Sequence, residues 1–319
     1  MTDRLRVALF GSPAFGVPVL ERLHDEHEAA LVVTRPDAPA GRGMRVRPCA
    51  VAARAAELGL PLFQPRRWVR NDEAVERLRA LDLDVAITAA YGRILPEAVL
   101  GVPRHGFLNA HASLLPKLRG AAPVQWALIQ GFDETGITVM QTEAGLDTGP
   151  IRHVVRTQIG PHETAPDLFT RLADLAADAV SEALRALAKG ALPLVPQDDA
   201  EATHAPRLTK EDGRIRFADP AAAVYDRWRG VLAWPGSWFE RAGERVRVDE
   251  LARDAGDTAP AAGGGAEPGT VLEVGEAEVR VACGRGAVRL LRVTPAGRRT
   301  MAAADWARGA HLGEGDPVA

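Results

Sequence analysis

Arg6-Val7-Ala8-Leu9-Phe10-Gly11-Ser12-Pro13-Ala14-Phe15-Gly16 decides how the first half of the chain is read. Arg6 to Phe10 is a short apolar strand that runs straight into a glycine-bounded turn. Ser12 stands where it can cap a helix, and Pro13 suits the first helical position. Phe15, Val19, Leu20 and Leu23 then recur on one helical face. Strand, tight turn and helix make one βα unit, and the pattern repeats. Ala30 to Thr34, Asp84 to Ala90, Gly106 to Ala110 and Gly136 to Met140 read as further strands. Helical stretches lie between them, around Cys49 to Leu58 and Asp72 to Ala80. Continuous apolar strands separated by helices predict a mostly parallel sheet covered on both faces. The opening turn is neither G-x-G-x-x-G nor a P-loop, so no cofactor is expected to bind there.

Thr164 to Lys189 reads as a long amphipathic helix, with Leu168, Leu172, Leu175 and Ala179 as its apolar stripe and Gly190 as its stop. The proline-punctuated stretch Leu192 to Asp199 follows as a linker. From about Leu208 the pattern changes to short alternating runs: Gly213 to Phe217, Arg245 to Val248, Gly269 to Val274, Glu278 to Cys283 and Ala287 to Val293. Such runs, parted by turn residues, predict a small all-β barrel or sandwich. Asp254 to Pro268 is rich in Ala and Gly and reads as a loop between strands. The expected organisation is therefore a first domain over 1–190, a linker over 191–207 and a second domain over 208–319. A chain of 319 residues is also longer than one hydrophobic core usually organises.

Composition excludes several classes. Hydrophobic residues make up 46% and charged residues 25%, which argues against global disorder. Apolar runs stay short of a membrane span, and the N-terminus lacks a signal-peptide pattern, so a cytoplasmic protein is expected. Cys49 and Cys283 suggest neither a disulfide framework nor a metal site, and no metal is expected. The net charge of −3 is not that of a wholly basic nucleic-acid binder. Arg35, Arg42, Arg45, Arg47 and Arg54 nevertheless cluster, with Arg66, Arg67 and Arg70 soon after. A local patch of this kind attracts phosphates even when the whole molecule is mildly acidic.

The chemistry gathers after the strand at Gly106. In Gly106-Phe107-Leu108-Asn109-Ala110-His111-Ala112-Ser113-Leu114-Leu115-Pro116, strand alternation puts Asn109 and His111 on the same side of the backbone. A carboxamide donor and an imidazole then share one space, where both can act on one carbonyl oxygen. Gly145-Leu146-Asp147-Thr148-Gly149 offers a carboxylate in a glycine-flanked turn. Singly, each residue has a structural explanation: a hydrogen-bonded core histidine, a turn asparagine, an Asx turn. Together they outweigh it, because ligand sites of open α/β sheets lie at the carboxyl ends of strands and both segments follow strands.

Asn109-Ala110-His111-Ala112-Ser113-Leu114-Leu115-Pro116-Lys117-Leu118-Arg119-Gly120-Ala121-Ala122-Pro123 resembles the signature of the folate-dependent formyltransferases. Tyr91-Gly92-Arg93-Ile94-Leu95-Pro96 and Gly145 to Gly149 match that family in order and spacing. Pro39 to Gly43, Leu208 to Ile215 and Trp234 to Trp238 are also similar to it. The likeness covers almost the whole chain. It implies a Rossmann-like first domain, an OB-like barrel as second domain, and 10-formyltetrahydrofolate as formyl donor. It also points to the branch of the family whose acceptor is the α-amino group of methionine on initiator tRNA. Carried over residue by residue, it makes Asn109, His111 and Asp147 catalytic. Ser113, Leu114, Leu115 and Pro116 become folate contacts, with Tyr91, Ile94 and Leu95 lining the pteridine pocket. Arg42, with Arg45 and Arg47, falls in a tRNA-contacting loop, and Lys210 is a candidate contact on the second domain. The loop reads Gly43-Met44-Arg45-Val46-Arg47, where relatives often carry consecutive lysines. Three readings compete with this one: formyl transfer to a sugar nucleotide or other small amine, hydrolysis of the folate, and a non-catalytic RNA-binding relative.

Overall fold

A computed structural model describes residues 4–40, 45–254 and 266–319. Arg42 and most of the Ala/Gly-rich stretch lie outside the described residues. Contacts divide the chain into two units. The first holds Met1–Pro123, Glu134–Ile159 and Asp167–Pro206; the second holds Val124–Asp133, Gly160–Pro166 and Arg207–Ala319.

In chain order the elements begin with β1 (Arg6–Gly11), α1 (Val17–Glu26), β2 (Glu28–Val33), β3 (Ala38–Ala40) and β4 (Arg45–Arg47). Next come α2 (Ala50–Glu57), β5 (Leu62–Phe63), α3 (Asp72–Arg79), β6 (Val85–Ala89) and α4 (Glu97–Leu100). β7 (Phe107–His111), β8 (Arg119–Gly120), α5 (Pro123–Ile129), β9 (Glu134–Gln141) and β10 (Ile151–Gln158) follow. α6 (Ala165–Ala188) and β11 (His204–Ala205) lead to Pro206.

The main sheet of the first unit has the order β10-β9-β7-β6-β1-β2-β5. Its β7, β6, β1, β2 and β5 pair in parallel, as the unbroken apolar runs predict. β9 runs the other way, and β10, antiparallel to β9, returns to the common direction. On one face Phe10 packs against Trp68, Tyr91 and Phe107 at ring separations of 5.8, 5.5 and 4.9 Å. The opening turn differs in detail from expectation. Ser12 caps nothing: its hydroxyl accepts the backbone N–H of Arg35 at 3.1 Å. A single 3-10 turn over Ala14–Gly16 intervenes before α1, whose first turn carries Pro18 rather than Pro13. This turn is close-packed, since a Cβ on Gly11 would stand 2.9 Å from the carbonyl of Ala89.

The second unit adds α7 (Ala221–Val231), β12 (Ser237–Arg241), β13 (Glu244–Arg253), β14 (Val271–Val274), β15 (Val279–Ala282), β16 (Ala287–Pro295), β17 (Met301–Ala302) and α8 (Ala303–Gly309). Its antiparallel sheet has the order β12-β13-β16-β15-β14, with β17 on β16. The β reading of this region holds, with two helices added to it. Trp306 of α8 reaches Phe239 at 5.6 Å, and Val224 and Trp228 of α7 join the same core. Gly213 to Phe217 is not a strand: Lys210–Gly213 forms a 3-10 turn and Arg214 makes an isolated bridge to Trp238.

Among the described residues, no helix is long and apolar enough to cross a membrane.

Candidate active site

β7 delivers Asn109 and His111 from the middle of the main sheet. Asn109 lies beside Thr88 of β6 and Met140 of β9, and His111 beside Thr138 of β9. Thr88 donates its hydroxyl hydrogen to Asn109 Oδ1 at 2.8 Å. That bond fixes the amide with its oxygen toward the sheet and leaves Nδ2 as the outward donor. Asn109 Nδ2 stands 3.5 Å from Asp147 Oδ1, and His111 Nδ1 stands 3.7 Å from Asp147 Oδ2. The structure thus brings the three residues together. His111 and Asp147 are buried, at 6% and 9% exposure, so the carboxylate and the ring face each other with little water between.

Asp147 does not arrive as the strand pattern suggests. β9 is antiparallel to β7, so the turn after β9 follows the end of that strand opposite His111, and the chain folds back to reach the ring. The turn is tight. A Cβ on Gly149 would stand 1.9 Å from the carbonyl of Gln141, and one on Gly145 would stand 2.1 Å from the Thr148 hydroxyl. Asp147 itself has φ +54°, the left-handed region that L side chains disfavour. Its Oδ2 accepts the backbone N–H of Gly120 at 2.9 Å.

The orientation of His111 comes from a source without a sequence signature. Nε2 lies 2.9 Å from the carbonyl of Leu118. A carbonyl can only accept, so Nε2 carries the hydrogen and Nδ1 is the nitrogen that faces Asp147. Leu118 is held in turn: it sits at φ +59° and its N–H donates to the Thr203 hydroxyl at 2.9 Å. Residues 191–207, expected as a connection, are bonded to the site over much of their length. Val195 bridges Ile151, and β11 pairs in parallel with β8.

The residues matched to folate contacts are distributed unevenly. The Ser113 hydroxyl donates to the Lys117 carbonyl at 2.7 Å, and the Ser113 carbonyl accepts from Thr138. Leu115 is buried and its N–H donates to the Thr138 hydroxyl at 3.1 Å. Leu114 leans on Gly136, and Pro116 follows through a cis peptide bond. The segment Ser113 to Pro116 is therefore a pinned turn whose side chains largely serve the fold. Tyr91 and Leu95 also belong to the core, where the Tyr91 hydroxyl accepts from Trp68 Nε1 at 2.8 Å. Burial raises the pKa of that phenol above its ordinary value, so it stays neutral. Of that trio Ile94 alone presents its side chain outward, at 87% exposure.

Arg45 and Arg47 belong to β4, which pairs with β3 as a two-stranded ribbon. Arg47 is exposed, and so is Val46 beside it. Arg42 falls outside the described residues. Lys210 is exposed on the second unit, where its carbonyl accepts from Trp238 Nε1 at 3.1 Å. Among the described residues, no three His, Cys, Asp or Glu side chains gather in a way that could hold a metal ion.

Thr88, Leu118 and Gly120 are not singled out by the sequence as members of the site. Thr88 carried a usable signal: a hydroxyl near the end of an otherwise apolar strand, one strand over from Asn109. Leu118 and Gly120 act through backbone groups, which every residue has.

Known proteins resemble this chain over almost its whole length. Residues 4–184 match the formyl transferase family and residues 207–311 match the formyl transferase C-terminal domain. A methionyl-tRNA formyltransferase of Deinococcus radiodurans is 49% identical over 97% of this chain and 94% of its own length. One from Thermus thermophilus is 46% identical over 96% of each. The solved structure of an N-formyltransferase from Helicobacter canadensis, in complex with folinic acid and dTDP-3-aminofucose, shares the fold. Its TM-score is 0.69 at 13% identity, covering 91% of this chain and all of that one. A polar triad at the end of β7, both matched domains and near-half identity over almost the full length lead to one assignment: the chain belongs to the formyl transferase family.

Proposed function

We propose that this protein transfers the formyl group of 10-formyltetrahydrofolate to the α-amino group of methionine carried on initiator tRNA. One observation carries the chemistry: the Asn109 amide, the His111 ring and the Asp147 carboxylate converge within 3.5 and 3.7 Å. The acceptor rests on the relatives that share nearly half of the sequence, which are named for methionyl-tRNA.

The reaction needs an electrophile held still and a proton moved. The neutral amine attacks the formyl carbon, a C–N bond forms, and negative charge gathers on the formyl oxygen. Asn109 Nδ2 donates to that oxygen, being the outward half of an amide whose other half is tied to Thr88. His111 Nδ1, when protonated, supplies a second donor, since Nε2 is committed to Leu118. Removing one such fixed donor typically raises the barrier by roughly 3–4 kcal/mol. Asp147 takes the proton that the amine loses. The bond to folate N10 then breaks and N10 gains a proton, so the transfer is proton-neutral overall. No covalent bond to the enzyme is needed, and the cysteines lie outside the triad. The exposed Arg47, with Arg42 and Arg45 of the same segment, grips acceptor-end phosphates, and Lys210 adds a contact from the second unit.

The test is to incubate the protein with 10-formyltetrahydrofolate and methionyl-initiator tRNA and to follow formyl-methionyl-tRNA. Free methionine, methionyl-elongator tRNA and a dTDP-linked amino sugar serve as alternative acceptors. Formylation of the initiator tRNA alone supports the reading. Preferential formylation of the amino sugar, or plain hydrolysis of the folate, overturns it.

A further inference from the structure

The Asp147 turn is held from behind by a side chain that lies in the segment after α6. Gln197 Nε2 donates both of its hydrogens to backbone carbonyls, that of Asp147 at 2.9 Å and that of Gly149 at 2.7 Å. Its Oε1 accepts from Arg119 Nε at 3.0 Å and from Nη2 at 2.8 Å. Arg119 is itself only 6% exposed, and its Nη2 also reaches Asp199 at 2.7 Å. Every polar group of the Gln197 amide is thereby used, and its orientation is fixed. The oxygen must face the guanidinium, and the two hydrogens must face the turn.

This clasp acts where the backbone most needs one. A non-glycine residue at φ +54° persists where its surroundings over-determine it. At Asp147 the restraints come from both ends of the residue: Gly120 N–H on the carboxylate and Gln197 on the carbonyl. A short aspartate side chain follows its backbone closely, so rotation of that carbonyl moves the carboxylate away from Asn109 and His111.

We propose that Gln197 is a positioning residue for formyl transfer, holding the backbone of the Asp147 turn so that the carboxylate faces Asn109 and His111. The proposal rests on the reading that Asp147 takes part in the chemistry. Gln197 touches neither substrate; it acts through Asp147, and Arg119 acts through Gln197.

The informative variant is Gln197→Glu in the full-length protein. It keeps the size and the acceptor for Arg119, and adds a charge attraction to it. It loses both donors and sets a carboxylate oxygen against two carbonyls. Misplacing a reacting group by about an ångström can cost about a hundredfold, so kcat is expected to fall by roughly 10- to 100-fold. KM for folate and for tRNA should stay within about threefold, because ground-state binding is untouched. The pH profile of kcat should also change shape, whereas a merely structural loss scales the whole curve. Combined with Asp147→Ala, the substitution should add no further loss, because residues acting as a unit are not additive. Gln197→Met, which has neither donor nor acceptor, should give the same fall in kcat and guards against misfolding of the glutamate variant. Wild-type kcat in both variants, or full additivity with Asp147→Ala, overturns the positioning role. Near-normal turnover in Asp147→Ala alone instead overturns the role of Asp147, and the proposal with it.

Discussion

The two units place their polar side chains differently. In the first, buried polar groups collect around one strand end: Thr88, His111, Ser113, Arg119, Thr138 and Asp147 lie within a few residues of β7 or its partners. In the second, the core is built from Phe239, Trp306, Tyr225, Trp228 and aliphatic residues of the antiparallel sheet. Its buried cation, Arg229, is neutralised on the spot by Asp226 at 2.8 Å and by the carbonyls of Gly160 and Glu163. In the first, the polar groups orient one another and leave Asn109 Nδ2 and His111 Nδ1 turned toward the Asp147 carboxylate. In the second, the buried guanidinium is tied to a carboxylate and two backbone carbonyls and so serves the fold. Burial with an outward donor indicates chemistry; burial with closed bonding indicates architecture.

Substitutions can break this contrast. The largest effect is expected at Asn109→Ala, which removes a donor to the formyl oxygen: kcat should fall by roughly 100- to 1,000-fold with little change in thermal stability. Single-turnover formylation beside a melting curve measures both, and near-normal turnover removes Asn109 from the catalytic set. Arg229→Ala should do the reverse. It strands a buried carboxylate and should lower unfolding stability by about 3 kcal/mol, with kcat per folded molecule preserved. Denaturant titration with active-site counting reads the two quantities apart.

A smaller effect sharpens the comparison inside the first unit. His27 is buried, and among the described residues its Nε2 has no hydrogen-bond partner. Burial, the largest cause, pushes its pKa below the ordinary 6.5 and outweighs the attraction of Glu26. A depressed histidine stabilises the fold above pH 6.5 and withdraws that contribution as pH falls toward the folded-state value. Stability measured from pH 8 to pH 5 should therefore drop by about 1 kcal/mol for each unit of depression, and His27→Gln should flatten that acid limb. An acid limb unchanged in His27→Gln would assign it to other groups. The smallest effect belongs to Lys210→Ala. An exposed lysine that contacts one phosphate should weaken tRNA binding modestly and reduce the salt dependence by about one ion. An unchanged slope removes Lys210 from the interface.

Much of this was legible in the sequence, for physical reasons. β1, β6 and β9 are buried on both faces, and unbroken apolar runs mark such strands. β10 was not legible, because it is half-exposed and carries Arg152, His153, Arg156 and Gln158. The reversed direction of β9 leaves no trace in composition, since an apolar run has no polarity. α7 and α8 are short and interrupt a β pattern, so periodicity had few turns in which to show itself. The Asn109, His111 and Asp147 set was legible as chemistry. Its supports were not, because Leu118 and Gly120 contribute backbone groups and Gln197 sits among prolines and aspartates that read as a connection.

The chain passes from the first unit to the second at Pro123, returns at Glu134, leaves again after Ile159 and returns at Asp167 before the last crossing at Pro206. A single recombination point after α6 would hand over the sheet of the second unit but leave 124–133 and 160–166 behind. It would also replace Gln197 and Thr203, which hold the Asp147 and Leu118 turns. A working chimaera between relatives needs a crossover beyond Pro206 together with matched inserts at 124–133 and 160–166. The second unit is therefore inherited as three separate stretches of gene.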